Sequence, residues 1–167
     1  MSKSFGGTKP SKKGWAMILQ HSITVGLVES LKSLFEYTRM FANYEIQFQA
    51  DPPDVPLHED QIIGLYRIVQ ELLNNAYKHS NADQVCLSLL SQGDEIHFTY
   101  ADDGVGMDRE LLEGSFQHMG IAGIEKRVLS LEGKVEFHTS PQQGFRVGIQ
   151  FQRIWFRGEK NGSLINR

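Results

Sequence analysis

The sequence predicts an α+β protein, a two-layer sandwich in which about three helices cover one face of a mixed, mostly antiparallel sheet of about five strands. Apolar residues recur three and four positions apart in some segments, which is typical of amphipathic helices. In other segments apolar and polar residues alternate, as in strands with one buried face. These segments follow one another without an internal repeat, an order typical of helices packed on one side of a sheet.

The N-terminal half is predicted to hold most of the helices. Residues 1–14 carry four lysines and no acid, and they are predicted to be a disordered leader or a cloning remnant. The helical spacing from Trp15 to Phe41 predicts one or two helices. The alternating residues 44–50 predict a strand, and an apolar stripe from about Leu57 to Lys78 predicts a long helix.

The C-terminal half is predicted to supply most of the sheet. Residues 84–92 and 95–102 alternate on either side of Gly93 and predict a hairpin. A helix is expected from Gly120 to Gly133, with Gly133 as its C-cap. Two last strands are expected at 134–139 and 145–152. The folded domain is therefore predicted to span residues 15–153, followed by a C-terminal tail at 154–167.

Composition narrows the possible classes of function. The net charge of -3 gives no reason to expect nucleic acid or an anionic membrane as a partner. Cys86 is the single cysteine, which excludes a disulfide within the chain and a cysteine-based zinc site. No apolar run is long enough to span a bilayer, and no signal peptide opens the chain. A cytoplasmic domain is therefore expected.

A polar stripe on the predicted long helix is the first candidate site. Glu71, Asn75, Lys78 and His79 stand three or four positions apart, so they share one side of a helix. An amide oxygen can ligate Mg²⁺, which takes only one or two protein ligands beside phosphate and water, and a lysine can neutralise phosphate charge. The alternative is a solvated polar face whose Lys-His pair favours the helix dipole.

The loop ADDGVGMD, residues 101–108, is the second candidate site. It places Asp102 directly after a predicted strand and continues through Gly104 and Gly106. Glycines let the backbone approach a ligand closely, and a buried carboxylate can accept a hydrogen bond from an exocyclic amine. The alternative is a tight Asp-Gly turn between two elements.

The start of the predicted C-terminal helix is the third candidate site. Gly120 and Gly123 flank this start, and Lys126 and Arg127 lie in the second turn. Backbone N–H groups at a helix N-terminus form a natural anion site. The alternative is a glycine-softened entry into an ordinary amphipathic helix. A phosphate loop of the GxxxxGK[ST] kind is absent from the sequence.

These three segments, in this order and followed by Gly144 before the last strand, resemble the ATP-binding domain of sensor histidine kinases. The superfamily is shared with gyrase, Hsp90 and MutL, and its Bergerat fold is the sandwich described above. The resemblance runs from about Leu57 to Phe151, over half of the chain. The segment LYRIVQELLNNAYKHSNAD is especially similar to the branch whose response regulators carry a helix-turn-helix output domain.

The resemblance implies a site for Mg²⁺ and ATP on the long helix. Asn75 matches the magnesium-binding asparagine of the family, and Lys78 matches a basic residue that contacts phosphate. His79 belongs to the same nucleotide-binding stripe. Glu71 occupies the position that activates the attacking water in the ATPase relatives, which makes it the candidate catalytic residue.

The resemblance also implies roles for the glycine-containing segments. Asp102 matches the aspartate that reads the adenine amino group, and Gly104 and Gly106 fill the glycine positions of a DxGxG motif. Gly120 and Gly123 match a second glycine box, at the hinge of a mobile lid over the nucleotide.

Around this lid the sequence both matches the family and departs from it. Arg127 falls at a basic position common in the histidine-kinase branch. Only thirteen residues, Met107–Met119, separate the two glycine boxes, so a short lid is expected. His118 stands where the branch often has another glycine, and Phe145 follows Gly144 where a threonine is usual.

The function implied is that of a histidine protein kinase in two-component signal transduction. Mg²⁺-bound ATP would donate its γ-phosphate to a histidine on a separate dimerisation domain, and the phosphate would pass on to a response regulator. His21 lacks the acidic neighbour of an acceptor histidine, His58 has no motif around it, and His97 and His138 fall on the polar phase of alternating strands. The chain is therefore expected to bind nucleotide with little or no autophosphorylation. The parent protein could be an inner-membrane receptor.

Three alternatives use the same fold. An anti-sigma-type serine kinase would form acid-stable phosphoserine in place of acid-labile phosphohistidine. A self-sufficient ATPase would use Glu71 as its general base. A binding module would keep the fold without competent chemistry.

Overall fold

The structure is a computed structural model that describes residues 12–108, 110 and 120–155. Within these ranges the chain forms four α-helices, five β-strands and one short π-helical turn. In chain order they are α1 (Lys12–Val25), α2 (Leu27–Arg39), β1 (Glu45–Asp51), α3 (Glu59–Asn75), the π-helical turn (Ala76–Ser80), β2 (Gln84–Gln92), β3 (Glu95–Asp102), α4 (Ile121–Ser130), β4 (Lys134–Thr139) and β5 (Phe145–Gln152). Over these described ranges, no helix has the length and apolar character needed to cross a membrane.

The five strands form one sheet in the order β1-β2-β3-β5-β4. Strand β1 runs parallel to β2, with Ile46 opposite Val85, and the other three pairings are antiparallel. Successive residues of a strand point to opposite faces. In β3, Ile96, Phe98 and Tyr100 are therefore buried, while the residues between them are partly or fully exposed. The predicted mixed, mostly antiparallel sheet, with helices over one face, is confirmed.

Helix α3 is the centre of the helical layer, because it contacts α1, α2 and α4. Its predicted apolar stripe faces the core, and Leu65, Ile68 and Val69 are each 0% exposed. Burying an aliphatic side chain of this size contributes about 1.5–3 kcal/mol relative to leaving it in water. The stripe therefore fixes the rotation of α3 over the sheet and, with it, the direction in which the polar residues of α3 point.

The N-terminal helical region consists of two helices, one of the two arrangements that the sequence predicts. Helices α1 and α2 meet at Gly26, whose φ of 85° lies in the left-handed region that favours glycine. The N–H of Gly26 still donates to the carbonyl of Ser22, 3.0 Å away, so the break costs little backbone hydrogen bonding.

Helix α4 ends differently from the prediction, which placed a glycine C-cap at Gly133. Glu132, rather than Gly133, adopts the left-handed conformation, with a φ of 54°. The N–H of Glu132 donates to the carbonyl of Leu129 at 2.9 Å, and the N–H of Gly133 donates to that of Val128 at 3.0 Å. Together these bonds form a Schellman motif. Gly133 is required by packing instead, since a Cβ there would lie 2.7 Å from the carbonyl oxygen of Gln150.

Helix α3 ends before Lys78, the predicted limit. The α-helical pattern stops at Asn75, and residues 76–80 continue as the π-helical turn. Asn81 then leaves the turn with a left-handed φ of 49°. Single π-helical turns are rare and are frequently found at functional sites. The polar residues of the predicted stripe are therefore divided between two kinds of helix.

The segment after β5 is fastened to α3 by Gln61, whose side chain is 0% exposed. Its amide nitrogen donates to the carbonyl of Gln152 at 2.7 Å, and its amide oxygen accepts from the N–H of Ile154 at 3.1 Å. The indole N–H of Trp155 donates to Asp94 at 2.7 Å. The chain thus stays attached to the domain through residue 155. Residues 1–11 of the predicted leader and 156–167 of the predicted tail lie outside the described residues.

Candidate functional site

A cavity of about 120 Å³ opens where the end of α3, the end of β3 and the start of β5 meet. It is lined by Leu72, Asn75, Ala76, His79, Ser80, Tyr100, Asp102, Gly106, Met107 and Phe145. Four of these residues, from two separate candidate segments of the sequence, were selected as site residues: Asn75, His79, Asp102 and Gly106. The fold thus brings the polar helix stripe and the acidic loop to one place.

Asp102 provides the buried charge of this cavity. It is the last residue of β3 and lies two positions after Tyr100, so both side chains point to the helix-covered face. Only 7% of Asp102 is exposed. Its Oδ1 accepts from the N–H of Gly104 at 3.0 Å, and its Oδ2 accepts from the hydroxyl of Tyr100 at 2.7 Å. Two donors therefore hold the carboxylate at the cavity wall.

The neighbouring acid, Asp103, holds the loop after β3 in place and is not among the residues that line the cavity. Its Oδ1 accepts from the N–H groups of Asp83 and Gln84, each at 2.9 Å, and so joins the loop after β3 to the start of β2. Asp103 is exposed, in contrast to the buried Asp102. Of the two adjacent acids, Asp102 lines the cavity, and Asp103 connects the loop to the start of β2.

Gly104 and Gly106 allow the loop after β3 to lie against two other backbone segments. A Cβ on Gly104 would overlap the carbonyl oxygen of Ser80 and would lie 2.7 Å from the Cβ of Ser80. The same carbonyl accepts from the N–H of Val105 at 2.7 Å. Gly106 has a φ of 61°, and a Cβ there would overlap the carbonyl oxygen of Ser140. Both predicted glycine positions are thus places of close backbone approach.

Asn75, at the end of α3, and His79, in the π-helical turn, both reach the cavity. Asn75 is 7% exposed and lines the cavity together with His79, four positions further on. Lys78 is solvent-exposed. Because a π-helix bonds residue i to i+5, its turn holds more residues than an α-helical turn. The fourth residue after Asn75, His79, still comes closest to lying above it, as it would in an α-helix.

Glu71 lies against the hinge glycine of the predicted lid. Gly120 is the N-cap of α4 and has a φ of 66°. A Cβ there would overlap Oε1 of Glu71 and would lie 2.5 Å from its Cδ. The half-buried carboxylate of Glu71 is thus beside the N-terminus of α4, where the helix dipole favours negative charge.

Gly123 and Arg127 contact each other on α4. Nη1 of Arg127 donates to the carbonyl of Gly123 at 3.0 Å, so the guanidinium folds back along its own helix. Of the residues between the two glycine boxes, only 107, 108 and 110 are described. His118 lies outside the described residues, and the short predicted lid stays a prediction.

Two buried tyrosines make the electrostatic surroundings of Asp102 unusual. Burial, together with the negative charge of Asp102 and the hydrogen bond to it, raises the pKa of Tyr100 well above its ordinary value. Burial and, to a lesser extent, the charge of Asp102 also raise the pKa of Tyr44, whose hydroxyl donates to the carbonyl of Leu73 at 2.8 Å. Both phenols therefore remain protonated hydrogen-bond donors at neutral pH.

Sequence reasoning did not select six of the residues that line the cavity: Leu72, Ala76, Ser80, Tyr100, Met107 and Phe145. Thr139, which contacts the loop beside the cavity, was not selected either. The Thr139 hydroxyl accepts from the N–H of Met107 at 2.9 Å and donates to the carbonyl of Gly144 at 2.8 Å. Ser80 and Thr139 act through contacts distant in the sequence, which no local pattern reveals. Tyr100 could have been found, because it precedes Asp102 by two positions in an alternating strand.

Comparison with known proteins identifies the class of domain. Residues 60–154, more than half of the chain, match the family described as histidine kinase-, DNA gyrase B-, and HSP90-like ATPase. The chain therefore belongs to this family. Its relatives by sequence include sensor histidine kinases, and the domain is the ATP-binding catalytic domain of that type. The resemblance stated from the sequence is confirmed.

Three of these relatives show how much of a longer protein the chain matches. The sensor histidine kinase ComP of Bacillus subtilis (strain 168) is 36% identical over 128 residues, covering 77% of this chain and 17% of that protein. The histidine-protein kinase/phosphatase DegS of Brevibacillus brevis is 32% identical over 130 residues, covering 75% of this chain and 32% of DegS. The nitrate/nitrite sensor protein NarX of Escherichia coli (strain K12) is 29% identical over 117 residues, covering 70% of this chain and 19% of NarX. The chain thus spans about a third or less of their lengths.

Solved structures agree on the fold. The histidine kinase domain of the blue-light activated histidine kinase from Erythrobacter litoralis EL346 superposes with a TM-score of 0.65 at 20% identity, covering 81% of this chain and 70% of that one. The catalytic domain of histidine kinase ThkA gives a TM-score of 0.60 at 15% identity, covering 76% of this chain and 90% of that domain. At these identities the likeness concerns the fold alone.

Proposed function

We propose that this domain binds ATP with Mg²⁺ in the cavity between α3 and β3, and that its parent kinase transfers the γ-phosphate to a histidine. The observation that carries this proposal is the buried carboxylate of Asp102, anchored at the wall of a cavity that Asn75 also lines. Membership of an ATPase family supports a nucleotide as the ligand. The relatives named as sensor histidine kinases support a histidine as the acceptor.

The adenine end of the nucleotide would meet Asp102. A carboxylate offers about four acceptor positions, of which the hydroxyl of Tyr100 and the N–H of Gly104 use two. The exocyclic amine of adenine can take one of the others. A hydrogen bond to a charged group in a site of this kind contributes about 1.5–3 kcal/mol. The apolar side chains of Leu72, Met107 and Phe145 would surround the ring.

The magnesium ion would take the amide oxygen of Asn75 as its ligand from the protein. Within the described ranges, no group of three or more His, Cys, Asp and Glu side chains is arranged to hold a metal. A metal here would thus rely on phosphate oxygens and water, which is how Mg²⁺ usually binds. The donor set fits this ion. When bound, Mg²⁺ neutralises charge on the β- and γ-phosphates.

Cationic and polar groups beyond Asn75 would serve the phosphates. His79 lines the cavity, and the exposed Lys78 beside it can approach the triphosphate from solvent. The lid hinged at Gly120 and Gly123, with Arg127 nearby, would cover this end. Glu71 lies at that hinge, and we assign its carboxylate the role of general base toward the group that attacks the γ-phosphate, which in the parent kinase would be the acceptor histidine and in an ATPase would be water.

The wider setting of the domain follows from the same proposal. The γ-phosphate would reach a histidine on the dimerisation domain of the parent and then a response regulator with a helix-turn-helix output domain. The folded unit would span residues 15–153, extended by the first residues of α1 and by the hydrogen-bonded Ile154 and Trp155. It would face the cytoplasm, where ATP is available. The parent would be either a soluble kinase or an inner-membrane receptor.

Binding of a non-hydrolysable ATP analogue, followed by calorimetry with and without Mg²⁺, tests this proposal. Asp102→Asn replaces one acceptor oxygen by a donor and is expected to weaken binding by about tenfold or more. Its control is Asp103→Asn, because the asparagine oxygen can still accept from Asp83 and Gln84. The control is expected to bind as the wild type does.

The magnesium part of the proposal has its own pair of variants. Asn75→Ala should remove most of the gain in affinity that Mg²⁺ provides, whereas Asn74→Ala, one position away on the same helix, should keep it. Unchanged binding of the analogue in both Asp102→Asn and Asn75→Ala would sink the assignment of this cavity.

A further inference from the structure

The Asp102 carboxylate accepts one side-chain hydrogen bond within the cavity, from the hydroxyl of Tyr100. Tyr100 is 2% exposed, and its hydroxyl donates to Oδ2 of Asp102 at 2.7 Å. Both residues line the cavity. A buried tyrosine at this point of a strand could have been any large apolar residue for packing purposes, so its hydroxyl calls for an explanation in terms of the carboxylate.

The ring of Tyr100 is held so that its hydroxyl cannot easily move away. Phe145 lies directly opposite Asp102 in the pairing of β3 with β5, and its ring meets that of Tyr100 at 64°, with centroids 6.5 Å apart. Phe137 also packs against Phe145, with ring centroids 6.0 Å apart. Since phenylalanine has no hydrogen-bonding group, the hydroxyl donor beside Asp102 comes from Tyr100 and not from β5.

The two donors act on different oxygens of the carboxylate. Gly104 fixes Oδ1 through the backbone, and Tyr100 fixes Oδ2 through a hydroxyl. With one oxygen held, a carboxylate can still turn about its Cβ–Cγ bond, whereas two held oxygens define one plane. In that plane the unused lone pairs remain for a ligand in the cavity.

We propose that Tyr100 is a positioning residue that fixes the plane of the Asp102 carboxylate and thereby makes the cavity select a 6-amino purine over a 6-keto purine. This inference rests on the proposed function, since it assumes that Asp102 reads the base. A fixed acceptor faces the amine of adenine favourably and faces the carbonyl oxygen of guanine unfavourably. Selectivity of this kind comes from rejecting the wrong partner as well as from binding the right one.

The test compares Tyr100→Phe with Tyr44→Phe in the full chain, using non-hydrolysable analogues of ATP and GTP with Mg²⁺. Both variants lose one buried hydroxyl and keep the ring, but the hydroxyl of Tyr44 donates to the carbonyl of Leu73 rather than to the carboxylate. In Tyr100→Phe we expect the ATP-to-GTP affinity ratio to fall by about tenfold, the worth of a hydrogen bond to a charged group. In Tyr44→Phe we expect the ratio of the wild type.

A double-mutant cycle shows whether Tyr100 acts through Asp102. In the background of Asp102→Ala there is no carboxylate to position, so adding Tyr100→Phe should leave the affinity ratio unchanged. A further fall in that background would contradict a positioning role. Thermal unfolding of each variant confirms that the compared proteins are folded, and the ratio itself does not respond to a uniform loss of folded protein.

The remaining outcomes separate this inference from the proposed function. A wild type that binds neither analogue overturns the proposed function and this inference with it. A wild type that binds the two analogues equally well leaves ATP binding in place and overturns the inference alone, because there is then no selectivity to explain. A wild type that prefers the ATP analogue, combined with the same preference in Tyr100→Phe, overturns the role of Tyr100 alone. An equal fall of the ratio in Tyr44→Phe also overturns it, because any buried hydroxyl would then have the same effect.

Discussion

The two ends of the cavity differ in how firmly the fold holds their polar groups. At the β3 end, Asp102 is 7% exposed, and both of its oxygens accept hydrogen bonds. At the helix end, Asn75 is as buried as Asp102, but Lys78 and His79 beyond it are exposed side chains of the π-helical turn. An anchored, buried group needs little further ordering when a ligand binds, whereas an exposed side chain must be ordered. On the proposed function, the β3 end would therefore supply selectivity for the base, and the helix end would supply charge for the phosphates.

The largest effect on stability and on nucleotide binding is expected when the close backbone contact at the β3 end is disrupted. In Gly104→Ala the new Cβ would overlap the carbonyl oxygen of Ser80, so the loop and the π-helical turn must separate. We expect a loss of about 1–3 kcal/mol in the free energy of unfolding, as for other overpacked sites, together with loss of nucleotide binding. Chemical denaturation measures the first effect and calorimetry the second.

The control for this variant is Gly148→Ala in β5. A Cβ at Gly148 meets nothing within 4 Å, so the stability and the affinity should both remain close to those of the wild type. Equal stability of Gly104→Ala and Gly148→Ala would contradict the tight packing described for the β3 end.

The next largest effect is expected at alkaline pH, where ionisation of Tyr100, which is buried at the β3 end in the folded state, should lower the free energy of unfolding. Burial and the charge of Asp102 raise the pKa of Tyr100, while an unfolded tyrosine ionises near pH 10. Above that pH the folded state binds more protons than the unfolded state, so stability is present below about pH 10 and is lost as the pH rises. Each such tyrosine should contribute a fall of about 1.4 kcal/mol per pH unit.

Denaturation midpoints measured from about pH 8 to pH 11 would follow this loss through the onset of tyrosine ionisation. Tyr100→Phe should show a shallower decline than the wild type, because one buried phenol is missing. Tyr37→Phe provides the control, since Tyr37 is 52% exposed. A decline as steep in Tyr100→Phe as in the wild type would place the source of the alkaline loss elsewhere.

A smaller effect is expected at the helix end. Lys78→Gln should weaken ATP binding by about 0.2–1 kcal/mol, the range for exposed ion pairs, and the difference should shrink at high salt. Adenosine lacks phosphate, so its affinity should be the same in this variant and in the wild type. An equal loss for adenosine and ATP would show that Lys78 acts on the base or on the fold. Lys134→Gln, on β4, serves as the control.

The smallest effect on binding is expected at the hinge. Glu71→Gln keeps the shape of the side chain that packs against Gly120, so the affinity for the ATP analogue should be unchanged. The proposed kinase function also predicts little or no ATP hydrolysis by the chain alone. Measurable phosphate release that disappears in Glu71→Gln would instead favour a self-sufficient ATPase.

The fold could largely be predicted from the sequence, because most of its elements have a clear hydrophobic period. The alternation in 95–102 and the helical stripe of α3 were enough to identify the core face of each element. The π-helical turn could not be predicted, since the same residues fit an α-helical pattern equally well. The left-handed Glu132 was also unexpected, because a glycine stood one position away.

The candidate site was predictable in part for a similar reason. The order of the motifs selected Asn75 and Asp102, which both line the cavity. The contact between Glu71 and Gly120 depends on how α3 and α4 pack, and no local pattern contains it. Asp102 faces the cavity and Asp103 holds the loop because the alternation of β3 points Asp102, and not Asp103, toward the buried face.

The most direct measurement is an experimental structure of the domain with Mg²⁺ and a non-hydrolysable ATP analogue. We expect the adenine amine to lie within hydrogen-bonding distance of Asp102, while the Tyr100 hydroxyl keeps its bond to the same carboxylate. We also expect the metal on the side-chain oxygen of Asn75. A nucleotide bound elsewhere, or one whose base leaves Asp102 without a contact, would contradict the central claim.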